Sequence, residues 1–302
     1  MNSSELDERV CSPVLEHTAE EGSSDLRTTR RRGLRWFLAL AFTGAWVPWL
    51  CVHFAGGSMD DPRMQLVTAA FVPAVAACVV RRWVTKQGFA NSGIRLNFLA
   101  SWHLYLVAVT MPWGVLLLAI GAGSLISGSS PDLKLTPSAW AYLAAGPLIC
   151  IVMSPIFWGE EYGWTSYLRD RLMPGRPIAT TLSTGLIWGV WHWPLPWVGY
   201  LGGHTTVSDA VLAMLLWLPL SVLLEFLIGW LWSRTKSVWP GAMLHAGSNL
   251  VASQGMAIVL GDTFSSNVTT LLLCAGLIPF VLAVVLSGHL SVRTVPTVRQ
   301  TS

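Results

Sequence analysis

The sequence predicts an all-α fold, a polytopic membrane bundle of about eight transmembrane helices with both termini cytoplasmic, and three observations carry that expectation. The 302 residues are 53% hydrophobic and only 12% charged, roughly half the charge share of a soluble domain. Apolar runs long enough to cross a bilayer, which takes about 20 helical residues, recur eight times. On that map 17 of the 19 Lys and Arg fall on one side, and positive charge marks the cytoplasmic face. Seventeen Trp and 27 Gly suit a chain with interfacial aromatic belts and closely packed membrane helices.

Residues 1–33 mix acids (Glu5, Asp7, Glu8, Glu16, Glu20, Glu21, Asp25) with a basic end (Arg27, Arg30, Arg31, Arg32). They have no apolar periodicity, so a disordered cytoplasmic tail is expected there. The apolar runs follow at 36–55, 64–84, 99–126, 138–168, 178–200, 207–232, 238–260 and 267–288. The fourth is too long for one straight span, and Pro147 and Pro155 suggest a kink or break in it. The inside segments of this map hold Arg9 and the arginines from 27 to 35, then Arg81, Arg82, Lys86 and Arg95. They continue with Arg169, Arg171 and Arg176, then Arg234 and Lys236, then Arg293 and Arg299, leaving Arg63 and Lys134 outside. Five scattered Cys show no paired spacing and read as small apolar packing residues. No phosphate loop or nucleotide fingerprint is present, and the partners expected are the lipid bilayer and a peptide or membrane-anchored protein, not nucleic acid.

The chemistry is concentrated where charge interrupts hydrocarbon. Glu160 and Glu161 stand side by side inside the fourth run, and a carboxylate placed in hydrocarbon is a candidate functional group by default because it is expensive unless it has a partner. His192 lies in the fifth run, His245 and Asn249 in the seventh. Asn249 is four residues after His245, one turn further along the same helix face. Glu160 precedes Arg169 by nine residues and His245 follows Lys236 by nine, which places both roughly 14 Å from the charged surface. His192 fits that level if the start of its helix, with Pro177 in the first turn and Thr180, Thr181, Ser183 and Thr184 beside water, stands outside the hydrocarbon. Glu225, nine residues before Arg234, is open to three roles: a partner of the site, a proton relay, or a residue snorkelling to the interface.

Such a set is suited to hydrolysis, with a carboxylate as general base on water, an imidazole to orient it, and a second imidazole with an amide to stabilise an oxyanion. Each group taken alone could instead bridge helices by hydrogen bonds, as His and Asn do in membrane bundles.

At these residues the sequence resembles the CPBP family of membrane proteases, grouped with type II CAAX prenyl proteases and bacteriocin-processing (Abi) proteins. The matches are Glu160-Glu161, Trp188-Gly-Val-Trp-His192 and His245-Ala-Gly-Ser-Asn249, in the family's order, with the approach to the third motif from Gly229 onward also similar. The resemblance covers about residues 150–255. It implies a glutamate-type intramembrane endopeptidase in a bacterial cell membrane. Glu160 and His192 would activate the water, His245 and Asn249 would hold the oxyanion, and Glu161 would play a supporting part. No metal cofactor need be invoked, although two His and a Glu are a zinc-capable set. The organisation implied is a tail at 1–33, accessory helices at 34–135, a catalytic core at 136–260, and a last helix with a short tail at 261–302.

One position departs from the family pattern. The Arg expected five residues after the first Glu is Thr165, with Arg169 and Arg171 as the nearest substitutes. Loss of that guanidinium motivates a second expectation, a non-catalytic membrane protein acting in bacteriocin immunity or as a scaffold. A third, a proton-coupled carrier, draws on Glu225 but lacks the paired broken helices such carriers show.

Overall fold

The computed structural model of the chain describes residues 3–127, 136–199, 206–260 and 264–288, with side chains from Asp25 onward, those of Ser127 and Leu260 excepted. Lys134, Arg293, Arg299 and the Arg9 side chain, used above to orient the chain, lie outside the described residues. Every regular element among the described residues is helical, since a helix pairs its own backbone polar groups where lipid offers no partner.

The helices are α1 (Ser3–Phe54), α2 (Pro62–Gln65), α3 (Val72–Val79), α4 (Phe98–Ser127), α5 (Pro137–Glu161), α6 (Asp170–Leu172), α7 (Pro177–Trp191), α8 (Val207–Thr235), α9 (Val238–Leu250), α10 (Met256–Leu260) and α11 (Ser266–Leu286). π-helical segments join several of them, at Leu66–Ala70, Val80–Val84, Tyr162–Arg169 and Val251–Gly255. Six stretches among the described residues are long and apolar enough to cross a membrane: Asp25–Phe54, Pro62–Val84, Phe98–Ile126, Pro137–Leu172, Val207–Thr235 and Ser266–Leu286. The chain is an integral, multi-pass membrane protein. The other two runs of the eight form shorter helices, α7 of 15 residues and α9 of 13.

Helix α1 begins at Ser3, so helical backbone runs through the stretch where a tail was expected; Glu, Leu and Arg, good helix formers, recur there. One expectation is corrected here. The irregularity expected at Pro147 and Pro155 lies further on. Both prolines sit inside continuous α5, where the Ser154 hydroxyl donates to the Ile151 carbonyl that Pro155 leaves without its helical donor, and the helix changes its winding only at Tyr162.

Packing brings α5 against α9 and α7 against α8, with α4 and α11 covering α8 and α9 and with α3 lying against the π-helical segment that follows α5. Gly163 makes that last approach possible, since a Cβ there would sit 2.4 Å from Cβ of Pro73, and Gly159, one turn earlier in α5, does the same for the π-helical segment before α3, where a Cβ would sit 2.2 Å from the Ala70 carbonyl oxygen. Helix α1 grips the end of α7. The Trp46 indole N–H donates to the Trp191 carbonyl at 2.8 Å, and the Trp191 indole N–H donates to the Ala41 carbonyl at 3.0 Å. Trp191 also meets Trp49 and Trp164 edge-on, with centroids 4.8 and 5.5 Å apart. This buried aromatic column fixes the residue immediately before His192.

Candidate active site

Glu160 and Glu161 are the last two residues of α5, both buried, at 8% and 1% exposure. Adjacent helical residues point in different directions, and the two carboxylates accordingly find different partners. The Trp188 indole N–H donates to Oε2 of Glu160 at 3.1 Å. Oε1 of Glu161 meets Nδ1 of His245 at 2.9 Å, and Oε2 of Glu161 accepts the Thr165 hydroxyl at 2.6 Å.

Trp188 is the hub of this arrangement. Its ring lies edge-on to His245 and to His192, with centroids 5.0 and 5.4 Å away. Its carbonyl faces Nδ1 of His192 at 2.9 Å. A carbonyl can only accept, so Nδ1 of His192 carries the hydrogen and Nε2 keeps its lone pair. His192 itself caps the end of α7, where Pro194 stops the helix from continuing. Trp191 and Trp217 flank its ring, with centroids at 5.0 and 4.5 Å.

His245 comes from α9, a helix started by Ser237, whose hydroxyl caps the Trp239 N–H. Phe157 packs on its ring at 4.8 Å. Asn249 lies one turn on and is half-buried; its carbonyl accepts the Ser253 hydroxyl, and its side chain makes no hydrogen bond among the described residues. The structure thus gathers Glu160, Glu161, His192 and His245 around one tryptophan and leaves the Asn249 amide outside that hydrogen-bonded group. Among the described residues no group of three or more His, Cys, Asp or Glu is arranged to hold a metal ion.

Glu225 is 1% exposed and forms a 2.6 Å ion pair with Nη1 of Arg169, so it does not snorkel. The other Arg169 Nη donates to the Thr181 hydroxyl at 2.8 Å. Room for this guanidinium comes from Gly229, where a Cβ would sit 2.3 Å from Cζ of Arg169. The Thr-rich start of α7 does not face water as expected. Thr180, Thr181 and Thr184 are buried, and their hydroxyls donate to the carbonyls of Met173, Pro177 and Thr180 at 2.9 Å each.

The sequence marks Trp188 only as the first residue of the motif ending at His192, without a partner, and it marks Thr165 as a loss. A signal existed for both, since each stands four residues from a motif residue, Trp188 from His192 and Thr165 from Glu161, which is one helical turn.

Compared with known protein families, residues 137–251 match the family described as type II CAAX prenyl endopeptidase Rce1-like. The matched segment contains all five candidate site residues. No curated protein matches the chain.

Proposed function

Residues 137–251 form an Rce1-like domain of the type II CAAX prenyl endopeptidase family, and from that premise we propose that the protein is a glutamate-type intramembrane endopeptidase acting on membrane-anchored proteins or peptides. The observation that carries this reading is the pairing of both carboxylates with groups on other helices around a single indole, one with Trp188 and the other with His245.

In the proposed reaction Glu160, held at Oε2 by the Trp188 N–H, takes a proton from water through Oε1 while Nε2 of His192 orients that water. The water oxygen bonds to the scissile carbonyl carbon and forms a tetrahedral oxyanion. His245, turned by Glu161 at Nδ1, offers Nε2–H to the oxyanion, and Asn249 adds its amide. The C–N bond then breaks as the proton held by Glu160 passes to the leaving amine. Low-dielectric surroundings strengthen each of these interactions.

The Thr165 hydroxyl bond to Glu161 supports the catalytic reading over the non-catalytic one, because it supplies a donor to the carboxylate at the position where the guanidinium is missing. The positive-charge distribution supports eight crossings with both termini cytoplasmic, the short α7 and α9 completing theirs through Leu195–Trp197 and Val251–Leu260.

The test is cleavage of a quenched-fluorescent peptide library by the purified protein in detergent, with wild type beside Glu160→Ala, each with and without a strong chelator. Cleavage that survives the chelator and disappears in the variant is expected. A well-folded wild type that cleaves nothing, or an active Glu160→Ala, would remove this mechanism.

A further inference from the structure

The N-terminal part of span Asp25–Phe54 and the C-terminal ends of spans Pro62–Val84 and Pro137–Leu172 meet on one face of the bundle, and three guanidinium groups converge there. Arg32 donates to the Val84 carbonyl at 2.8 Å. Arg81 donates to the carbonyl and the hydroxyl of Ser166, both at 3.2 Å. Arg171 donates to the Tyr167 carbonyl at 3.0 Å and to Oε1 of Gln87 at 2.9 Å. The Tyr167 ring lies between two of them, its centroid 5.4 Å from Cζ of Arg81 and 4.2 Å from Cζ of Arg171.

Each of these acceptors is neutral. No carboxylate among the described residues is ion-paired to Arg32, Arg81 or Arg171. Asp170, the neighbouring acid, accepts the Trp232 indole N–H at 2.9 Å and acts on Arg171 through space without an ion-pair contact. Arg81 is only 3% exposed and within electrostatic reach of Arg171. Among the described residues its Nε and the hydroxyl of fully buried Tyr167 have no partner within hydrogen-bond geometry. A buried cation without counter-charge is costly, and a second cation beside it adds to the cost. Arg169, the last residue of the π-helical segment Tyr162–Arg169, shows the contrast, since its charge is matched by Glu225.

We propose that Arg32, with Arg81 and Arg171 on either side of the Tyr167 ring, forms a binding site for the headgroup phosphate of an anionic phospholipid. Arg32 is exposed and Arg171 half-buried, so these two touch the phosphate, while the buried Arg81 adds its field from behind. A lipid is the source because the site lies where spans end and because exposed Trp36 and Trp83, at 52% and 65%, stand beside it in sequence as interfacial anchors do. Exposed Arg82 and Lys86 extend the positive surface, the pattern by which juxtamembrane basic clusters select anionic lipids. An occupied site would brace the π-helical segment Tyr162–Arg169 that follows the two glutamates.

The experiment uses the full chain, delipidated in a neutral maltoside detergent, titrated with short-chain phosphatidylglycerol, with short-chain phosphatidylcholine, or with inorganic phosphate. Binding is read by native mass spectrometry and thermal unfolding. Phosphatidylglycerol is expected to bind and raise Tm well above the effect of phosphatidylcholine. Arg32→Gln and Arg171→Gln should each weaken that binding about fivefold, with a larger loss in the double variant, while Arg63→Gln at the other end of span Pro62–Val84 leaves it unchanged. Arg81→Gln is avoided because its burial puts folding at risk. Equal binding of the two lipids, or unchanged binding in the double variant, would overturn the proposal. Stabilisation by inorganic phosphate equal to that by phosphatidylglycerol would overturn the lipid as the ligand.

Discussion

The Thr165 hydroxyl donates a 2.6 Å hydrogen bond to the same carboxylate that meets His245 at 2.9 Å. Glu161 is therefore held from both sides, by a residue one turn ahead on its own segment and by an imidazole from α9. The hydroxyl stands at the position where the resemblance implies a guanidinium.

Thr165→Val keeps the shape and removes the donor. A hydrogen bond to a charged group contributes about 1.5–3 kcal/mol, so kcat/KM for peptide cleavage is expected to fall by about tenfold or more, with Thr165→Ser retaining most activity. Parallel Tm measurements separate this from unfolding. Equal activity in the Val variant would mean that Glu161 needs no such support.

Trp188→Phe keeps the aromatic ring and deletes the N–H that binds Glu160. The expected result is a fall in kcat of the order of tenfold, with little change in KM. A change confined to KM would place Trp188 in substrate contact instead.

The buried Arg169–Glu225 pair makes opposite predictions for single and double variants. Arg169→Met or Glu225→Leu alone leaves an uncompensated buried charge and should destabilise by about 3–5 kcal/mol. The double variant should recover much of that loss in thermal unfolding. Gly229→Ala, which drives a Cβ into the guanidinium, should cost about 1–3 kcal/mol.

Helix α1 lies outside the matched segment yet holds the residue before His192. Trp46→Phe removes the indole bond to the Trp191 carbonyl and should lower stability by about 1 kcal/mol. Activity should fall by less than in Trp188→Phe. If activity falls further than that while Tm holds, α1 reaches the site by more than this clamp.

Membrane class, helical architecture and the candidate residues were legible in the sequence because each rests on contrast along the chain. Charge is scarce in apolar runs, so Glu160, Glu161, His192 and His245 stand out without any coordinates, and the length of a run measures it against the bilayer. The partners of those groups were not legible, because partnership depends on which helix faces which. The α5 against α9 packing gives His245 to Glu161, and the approach of α7 gives Trp188 to Glu160. The π-helical winding after Glu161 left no mark that periodicity could detect, and the prolines that drew attention sit in regular helix. Sequence could count Arg169 and Arg81 among the charges expected on the cytoplasmic side. Only tertiary structure decided that the first is buried against Glu225 and the second is buried with no ion-paired carboxylate among the described residues, since burial and pairing are properties of neighbours far away in the chain.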